Sequence, residues 1–481
     1  MPLSNDEIFE LASTAVKAMH HDYGDDFKFP ADLIWQHVPP GADIPSTKKP
    51  HQPARLIHEG LLEKTGGLTR ALSEKRAGAP TSEYRFGPAL VVHAAPILPA
   101  AGVPTASASL TGIQNLMDAE GYVISTAELA NFFLAMTVSP LVILTGISGT
   151  GKSLLPRKFA QRTNSIFKAI PVQPQWSDNS DLFGYVPTLS PEKYITGALV
   201  DSLVNAKKNP SKLVLALLDE MNLAPVEHYF SDFLSVAETR VRNGMNIATD
   251  ELPVELPQAI VGQPDRYADL RGIQLPPNLR VVGTANMDET THTFSPKVLD
   301  RAFTIEFDDP DLTSFASGLA VGGASSFDSL AEIVIRESNA ISVREARTAS
   351  QDLFEQIAQF LSEIQDILAP AGIKFGYRTR DAILLYLHFW RELHLSDILS
   401  GYAALDFCIL QKVLPKVAGS GEALAESLKN LAAWLGAHSQ PNDDAEIALA
   451  DFAGPLTRSL QKVERMAKLL ELDGSTRFWG A

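Results

Sequence analysis

Cysteine is almost missing: Cys408, in an apolar helical context, stands alone among 481 residues, which excludes a disulfide framework and a thiolate-based zinc site. Net positive charge is missing too. With 41 basic and 57 acidic residues the formal charge is −16, so the overall field opposes nucleic acid and any such contact needs a local patch. No apolar run approaches bilayer length, and the opening MPLSNDEIFELAS has neither a basic n-region nor an apolar h-region. The expectation is a cytoplasmic protein with no membrane partner. No His or Cys cluster has metal-ligand spacing and no nuclease constellation stands out. What is there is an ordinary globular composition, 45% hydrophobic and 20% charged, with length for two or three domains.

The most informative stretch is residues 141–153, LVILTGISGTGKS. A short apolar strand runs into a glycine-rich loop ending in lysine and a hydroxyl residue. Gly146, Gly149 and Gly151, with Thr150 between the last two, let several backbone N–H groups converge on one anion at the start of a helix. In this pattern Lys152 reaches the β- and γ-phosphates and Ser153 holds Mg²⁺. Pro156 is tolerable only in the first turn of that helix.

A second apolar run, LVLALLDE at 213–220, reads as a central parallel strand delivering two acids to its C-terminal edge. Asp219 would hold Mg²⁺ and Glu220 would polarise the attacking water. A third, LRVVGTAN at 279–286, ends on Asn286, placed to orient that water from the other side. Downstream, Arg301 sits between a short helix and another strand, where it can act as an arginine finger on a neighbouring subunit's nucleotide. A salt bridge to Asp300 or Glu306 is the alternative.

Around these lie other elements. Apolar spacing predicts helices over 5–19, 29–38 and 53–62, the last ending at Gly66 and Gly67, then a turn over 77–82 and a strand near 84–86. This is a winged-helix order. Within 48–85 basic residues outnumber acidic ones, and Lys48, Lys49, Arg70, Lys75 and Arg76 are candidates for contacting DNA or another nucleic acid. A protein-docking surface is the other reading. Residues 94–109 read as a linker, and 113–136 as helix with a break near Gly121. Segment 170–185, with Trp176, Asp178, Asp181, Leu182 and Gly184, reads as a loop or hairpin, and 194–205 and 222–240 as helices. Residues 314–329 form a low-complexity break before an almost wholly helical remainder. The division is 1–93 (winged-helix-like), 94–109 (linker), 110–312 (α/β core), 313–350 (connector) and 351–481 (helical lid).

The order of P-loop, Asp-Glu strand, Asn strand and arginine resembles the AAA+ NTPases. More narrowly, QPQWSDNSDLFGY, DEMNLAPVEHYFSDFLSVAE and ANMDETTHTFSPKVLDRAF resemble the branch that holds McrB, the motor of a modification-dependent restriction system, with MoxR-type and dynein-like ATPases as cousins. The resemblance covers about residues 110–480. It implies a P-loop α/β core with a parallel sheet and a helical lid, hexameric rings with nucleotide between subunits, a pore-facing insert around 176–185, and a nuclease partner similar to McrC. It also places Arg378, or else Arg380, at the sensor-2 position that touches the γ-phosphate. Where McrB carries N-T-A-D this chain has Asn286, Met287, Asp288, which leaves ATP and GTP both open. A MoxR-like chaperone that remodels a protein or a cofactor site is the rival from another class.

Overall fold

The computed structural model describes residues 8–9, 11–16, 19, 28–38, 52–58, 61–70, 80–86, 105–243, 246–259, 264–287, 292–308, 326–340, 342–438 and 456–479. The chain divides into two compact units, Met1–Leu98 with Asn243–Asn246, and Pro99–Arg242 with Ile247–Ala481.

In the first unit, helical residues 11–16 bury Ala12, Ala15 and Val16 against Phe29, Ile34 and Leu56. The helix expected over 29–38 does not form. Pro30 is extended (φ −76°, ψ 149°), and Phe29–Pro30 is instead a short strand, β1, followed by a 3₁₀ turn at Ala31–Gln36. Proline has no N–H to give a helix at that point. Helix α1 (Gln52–His58) leads into β2 (Leu62–Arg70), which pairs antiparallel with β3 (Pro80–Phe86) in the order β1-β3-β2. Gly66 and Gly67 therefore do not end a helix. They lie where the β2–β3 register shifts between Lys64 and Leu68, as glycines in bulged strands do. Of the basic candidates, Arg70 is on β2, while Lys48, Lys49, Lys75 and Arg76 lie outside the described residues.

The second unit opens with α2 (Ala106–Ala119), capped by Thr105, and α3 (Thr126–Val138), whose Ser125 and Glu128 form a reciprocal capping box. The parallel sheet follows: β4 (Leu141–Gly146), β5 (Ile166–Pro171), β6 (Val214–Asp219), β7 (Leu279–Asn286) and β8 (Phe303–Glu306), in the spatial order β8-β4-β7-β6-β5. β4, β6 and β7 are buried almost end to end, which is why they read as unbroken apolar runs. Strand β7 lies between the P-loop strand and the acid-bearing strand, with Gly146 paired to Asn286 and Leu218 to Gly283.

Helix α4 (Leu154–Arg162) follows the P-loop and holds Pro156 in its first turn. Two expected helices are shorter than their patterns. Over 194–205 the helix starts only at Val200 (α5, Val200–Lys208), because Ile195 pairs with Tyr185 and Gly197 lies against the Leu182 backbone, where a Cβ would be 2.2 Å from the Leu182 carbonyl. Over 222–240 the chain breaks into a 3₁₀ turn, one turn at Val226–Tyr229 and α6 (Ser231–Glu238), since Pro225 cannot sit inside a helix. The 170–185 segment is not all surface. Trp176 and Leu182 are buried, with Trp176 edge-on to Tyr229 at 5.2 Å, while Leu189 between the paired Tyr185 and Ile195 is 97% exposed.

Short helix α7 (Pro296–Leu299) precedes β8. The remainder is helical: α8 (Asp328–Ala340), α9 (Val343–Ala349), α10 (Gln351–Leu368), α11 (Tyr377–Glu392), α12 (Gly401–Lys412), α13 (Glu422–Ala437) and α14 (Thr457–Asp473). On α10 the buried Leu353, Ile357, Leu361, Ile364 and Leu368 form one face. A buried polar knot joins this lid to the core: Asn131 Oδ1 of α3 accepts from Tyr386 Oη at 2.9 Å and from Gln411 Nε2 at 2.5 Å. Among the described residues no helix is long and apolar enough to cross a membrane.

Candidate nucleotide site

The phosphate loop leaves β4 at Gly146, whose φ of +132° and surroundings admit no side chain: a Cβ would lie 2.5 Å from the Phe307 carbonyl. Gly151 (φ +86°) is equally constrained, its Cβ position 2.6 Å from the Tyr122 ring. Asp308, just past β8, holds the loop by accepting the Ile147 N–H at 3.0 Å, and Thr150 Oγ1 closes it by donating to the Ile147 carbonyl at 3.1 Å. Lys152 is buried, with Nζ donating to the Gly146 carbonyl at 2.8 Å, so its charge sits inside the loop.

The acids arrive from β6. Ser153 Oγ donates to Asp219 Oδ1 at 2.6 Å, and Thr284 Oγ1 of β7 donates to the same oxygen at 2.7 Å. Thr284 Oγ1 in turn accepts the Glu220 N–H at 3.0 Å. Glu220 is exposed and takes the left-handed conformation (φ 55°, ψ 50°), a strained state for a non-glycine residue and one found at working sites. Asn286 lies beside Gly146 on the adjacent strand, with its carbonyl fixed by Asn222 Nδ2 at 3.0 Å. Gly146, Gly149, Thr150, Gly151, Lys152, Ser153, Asp219, Glu220 and Asn286 thus share the C-terminal edge of the sheet.

Arg301 and Arg378 do not share it. Arg301 precedes β8, and its carbonyl accepts from Ser139 Oγ at 3.1 Å, beside the start of β4. The length of β4, about 17 Å at 3.3 Å per residue, separates it from the phosphate loop. Its side chain meets neither Asp300 nor Glu306. Asp300 is held by Lys416 and Glu306 by Lys462, and the partner of Arg301 is Glu238, with Nε 2.7 Å from Oε1 and Nη2 2.9 Å from Oε2. Arg378 engages the same carboxylate, with Nε 2.6 Å from Oε1 and Nη2 2.9 Å from Oε2. Arg380 instead pairs with Asp381 and stacks over Tyr377. Arg378 therefore lies away from the phosphate loop of its own chain.

Several groups around the loop escape sequence reading. A cavity of about 690 Å³ opens beside Gly149 and Thr150, bounded by Tyr122, Glu306, Asp308, Arg458, Lys462 and Arg465. The basic residues come from α14, where their spacing looks like a solvated face. Burial pushes the Glu306 carboxyl up to about 8; Lys462 opposes this and Asp308 reinforces it. Tyr122 Oη donates to the Gly151 carbonyl at 3.3 Å. The arrangement can hold a nucleoside triphosphate by its phosphates, with the cavity taking the nucleoside.

Residues 141–302 match the profile of the AAA domain (dynein-related subfamily), a span that opens at β4 and closes just past Arg301. The chain is a P-loop ATPase of the AAA+ class. Residues 331–475 of this ATPase, across its C-terminal helices, match a domain of unknown function (DUF8727). No curated protein matches the ATPase. Among solved structures, that of a candidate ATPase from Cytophaga hutchinsonii aligns at 14% identity over 64% of this chain and 88% of the other, with a TM-score of 0.38. ATP is the nucleotide the family match supports; GTP gains no support from it.

Proposed function

We propose that this ATPase works as a ring in which each subunit supplies Arg301 and Arg378 to the nucleotide of its neighbour. The observation that carries this reading is the distance of both arginines from their own phosphate loop, with the length of β4 between. An arginine that cannot reach its own γ-phosphate can serve the next subunit's. In the reaction, Glu220 takes a proton from the attacking water while Asn286 orients it, and Lys152 and the loop N–H groups hold the phosphates. Charge developing on the transferred phosphoryl group is met by the neighbour's arginines. The Ser153 hydroxyl and the Asp219 carboxylate, 2.6 Å apart at the loop, are an oxygen pair that would hold Mg²⁺. Held there, the ion would neutralise phosphate charge.

The motif stretches that resemble McrB-like proteins support a motor that acts on DNA for a McrC-like nuclease partner in restriction or antiphage defence, with a hexamer as the ring and the first unit, read from the sequence as winged-helix-like, as the nucleic-acid contact. The charge of −16 favours the second reading, a MoxR-like chaperone with protein clients. Phosphate release from ATP and from GTP, with and without duplex DNA and with Lys152→Ala as blank, separates them. Turnover stimulated by DNA supports the motor, and ATP turnover indifferent to DNA supports the chaperone.

A further inference from the structure

Glu238 is the last residue of α6 and its side chain is 27% exposed. Its two oxygens meet two guanidinium groups, one carried by the core and one by the lid, through four contacts of 2.6–2.9 Å. Two arginines this close repel each other unless an anion lies between them. The other nearby acids are committed elsewhere, Asp300 to Lys416 and Asp381 to Arg380.

The backbones behind the two arginines are fixed independently. Lys412 Nζ of α12 donates to the carbonyls of Leu299, Asp300 and Ala302 at 3.3, 2.9 and 2.6 Å, on both sides of Arg301. Lys416 joins Asp300 to Thr379, the residue after Arg378, donating to Thr379 Oγ1 at 2.6 Å. Arg301 Nη1 also donates to the Lys297 carbonyl at 2.9 Å. What remains adjustable is the direction of the two guanidinium planes, and Glu238 sets it for both.

We infer that Glu238 is a positioning residue that binds Arg301 and Arg378 into one cationic fork, holding one edge of each guanidinium so that the pair meets an incoming phosphate together. One carboxylate against two cations leaves a net positive charge on the fork, as a triphosphate requires. Arg378, 56% exposed, is the more open tine. The inference rests on the ring reading given above.

The test is steady-state ATP hydrolysis by the full chain carrying Glu238→Ala, Glu238→Gln and Glu238→Asp, each alone and with Arg378→Ala. Glu238→Ala and Glu238→Gln should lower kcat about 10- to 100-fold, part of the 10³–10⁵ that an arginine finger supplies, with KM for ATP within about twofold because the phosphate loop is untouched. Glu238→Asp should recover part of the loss. Arg378→Ala should cost less in the Glu238→Ala background than in the wild type. Unchanged kcat in Glu238→Gln, or additive losses, would overturn the inference. Mixing Lys152→Ala subunits with Arg301→Ala subunits isolates the ring reading. Recovered activity shows the arginines working across subunits, whereas no recovery defeats that reading whatever Glu238 does. If Glu238→Ala does not fold, the near-isosteric Glu238→Gln decides.

Discussion

Ser153 and Asp219, 66 residues apart in the chain, meet at 2.6 Å, and Thr284 of the intervening strand donates to the same Asp219 oxygen. Two strands and the phosphate loop thus converge on one carboxylate. Glu220, the next residue, is turned out of the strand by its left-handed backbone.

Replacing Glu220 with Gln should reduce ATP hydrolysis at least about 100-fold while ATP still binds, since the loss falls on activation of water and not on the phosphate loop. Phosphate release and a fluorescent-nucleotide titration on the same preparation check this. Equal turnover by wild type and variant would remove Glu220 from its role.

Gly146→Ala should weaken ATP binding. Its backbone lies where L-residues are strained by about 1–3 kcal/mol, and the new Cβ meets the Phe307 carbonyl at 2.5 Å. The loop must then shift away from Asp308, and KM should rise about tenfold or more in the same hydrolysis assay.

The buried Glu306 makes stability depend on pH. Its folded pKa is raised from 4.5 to about 8, so its contribution is fully present below about 4.5 and is lost as pH rises through about 8. Lys412 slopes the other way. Burial lowers it from 10.5 to about 7, and its contribution is lost as pH falls from 10.5 through 7. The informative quantity is therefore the difference between wild type and Glu306→Gln. In thermal melts from pH 5 to 9 the wild type should lose ground steadily to the variant, and parallel curves would refute the shift.

Asn131→Ala should leave the Tyr386 hydroxyl and the Gln411 amide without their shared acceptor inside the core–lid junction. Two such losses cost about 2–3 kcal/mol, which lowers the thermal midpoint of a unit this long by roughly 2–4 °C. Differential scanning fluorimetry reads this directly.

The residues on the candidate nucleotide edge were legible because each sits in or beside a contiguous pattern, an apolar strand ending in Gly146, Asp219 or Asn286. Glu238 lies within one of the motif stretches, yet its role was not legible. Its partners are 63 and 140 residues away, and no local spacing encodes such a meeting. The same holds for Lys462 on Glu306 and Lys412 on the carbonyls around Arg301, which in sequence are lysines on a helix. The helix expected over 222–240 was interrupted by Pro225, and the one over 194–205 was shortened by the close approach of Gly197 to Leu182, one visible in the sequence and the other only in the packing.

Lys412 is more than an anchor for one loop. A hinge between lid and core would have to release its three carbonyls, the Lys416 links and the Asn131 knot together, at a cost of several kcal/mol. Those links favour core and lid turning as a single piece. In a ring built from it, the work of each ATP would be delivered as one whole subunit tilting against the next.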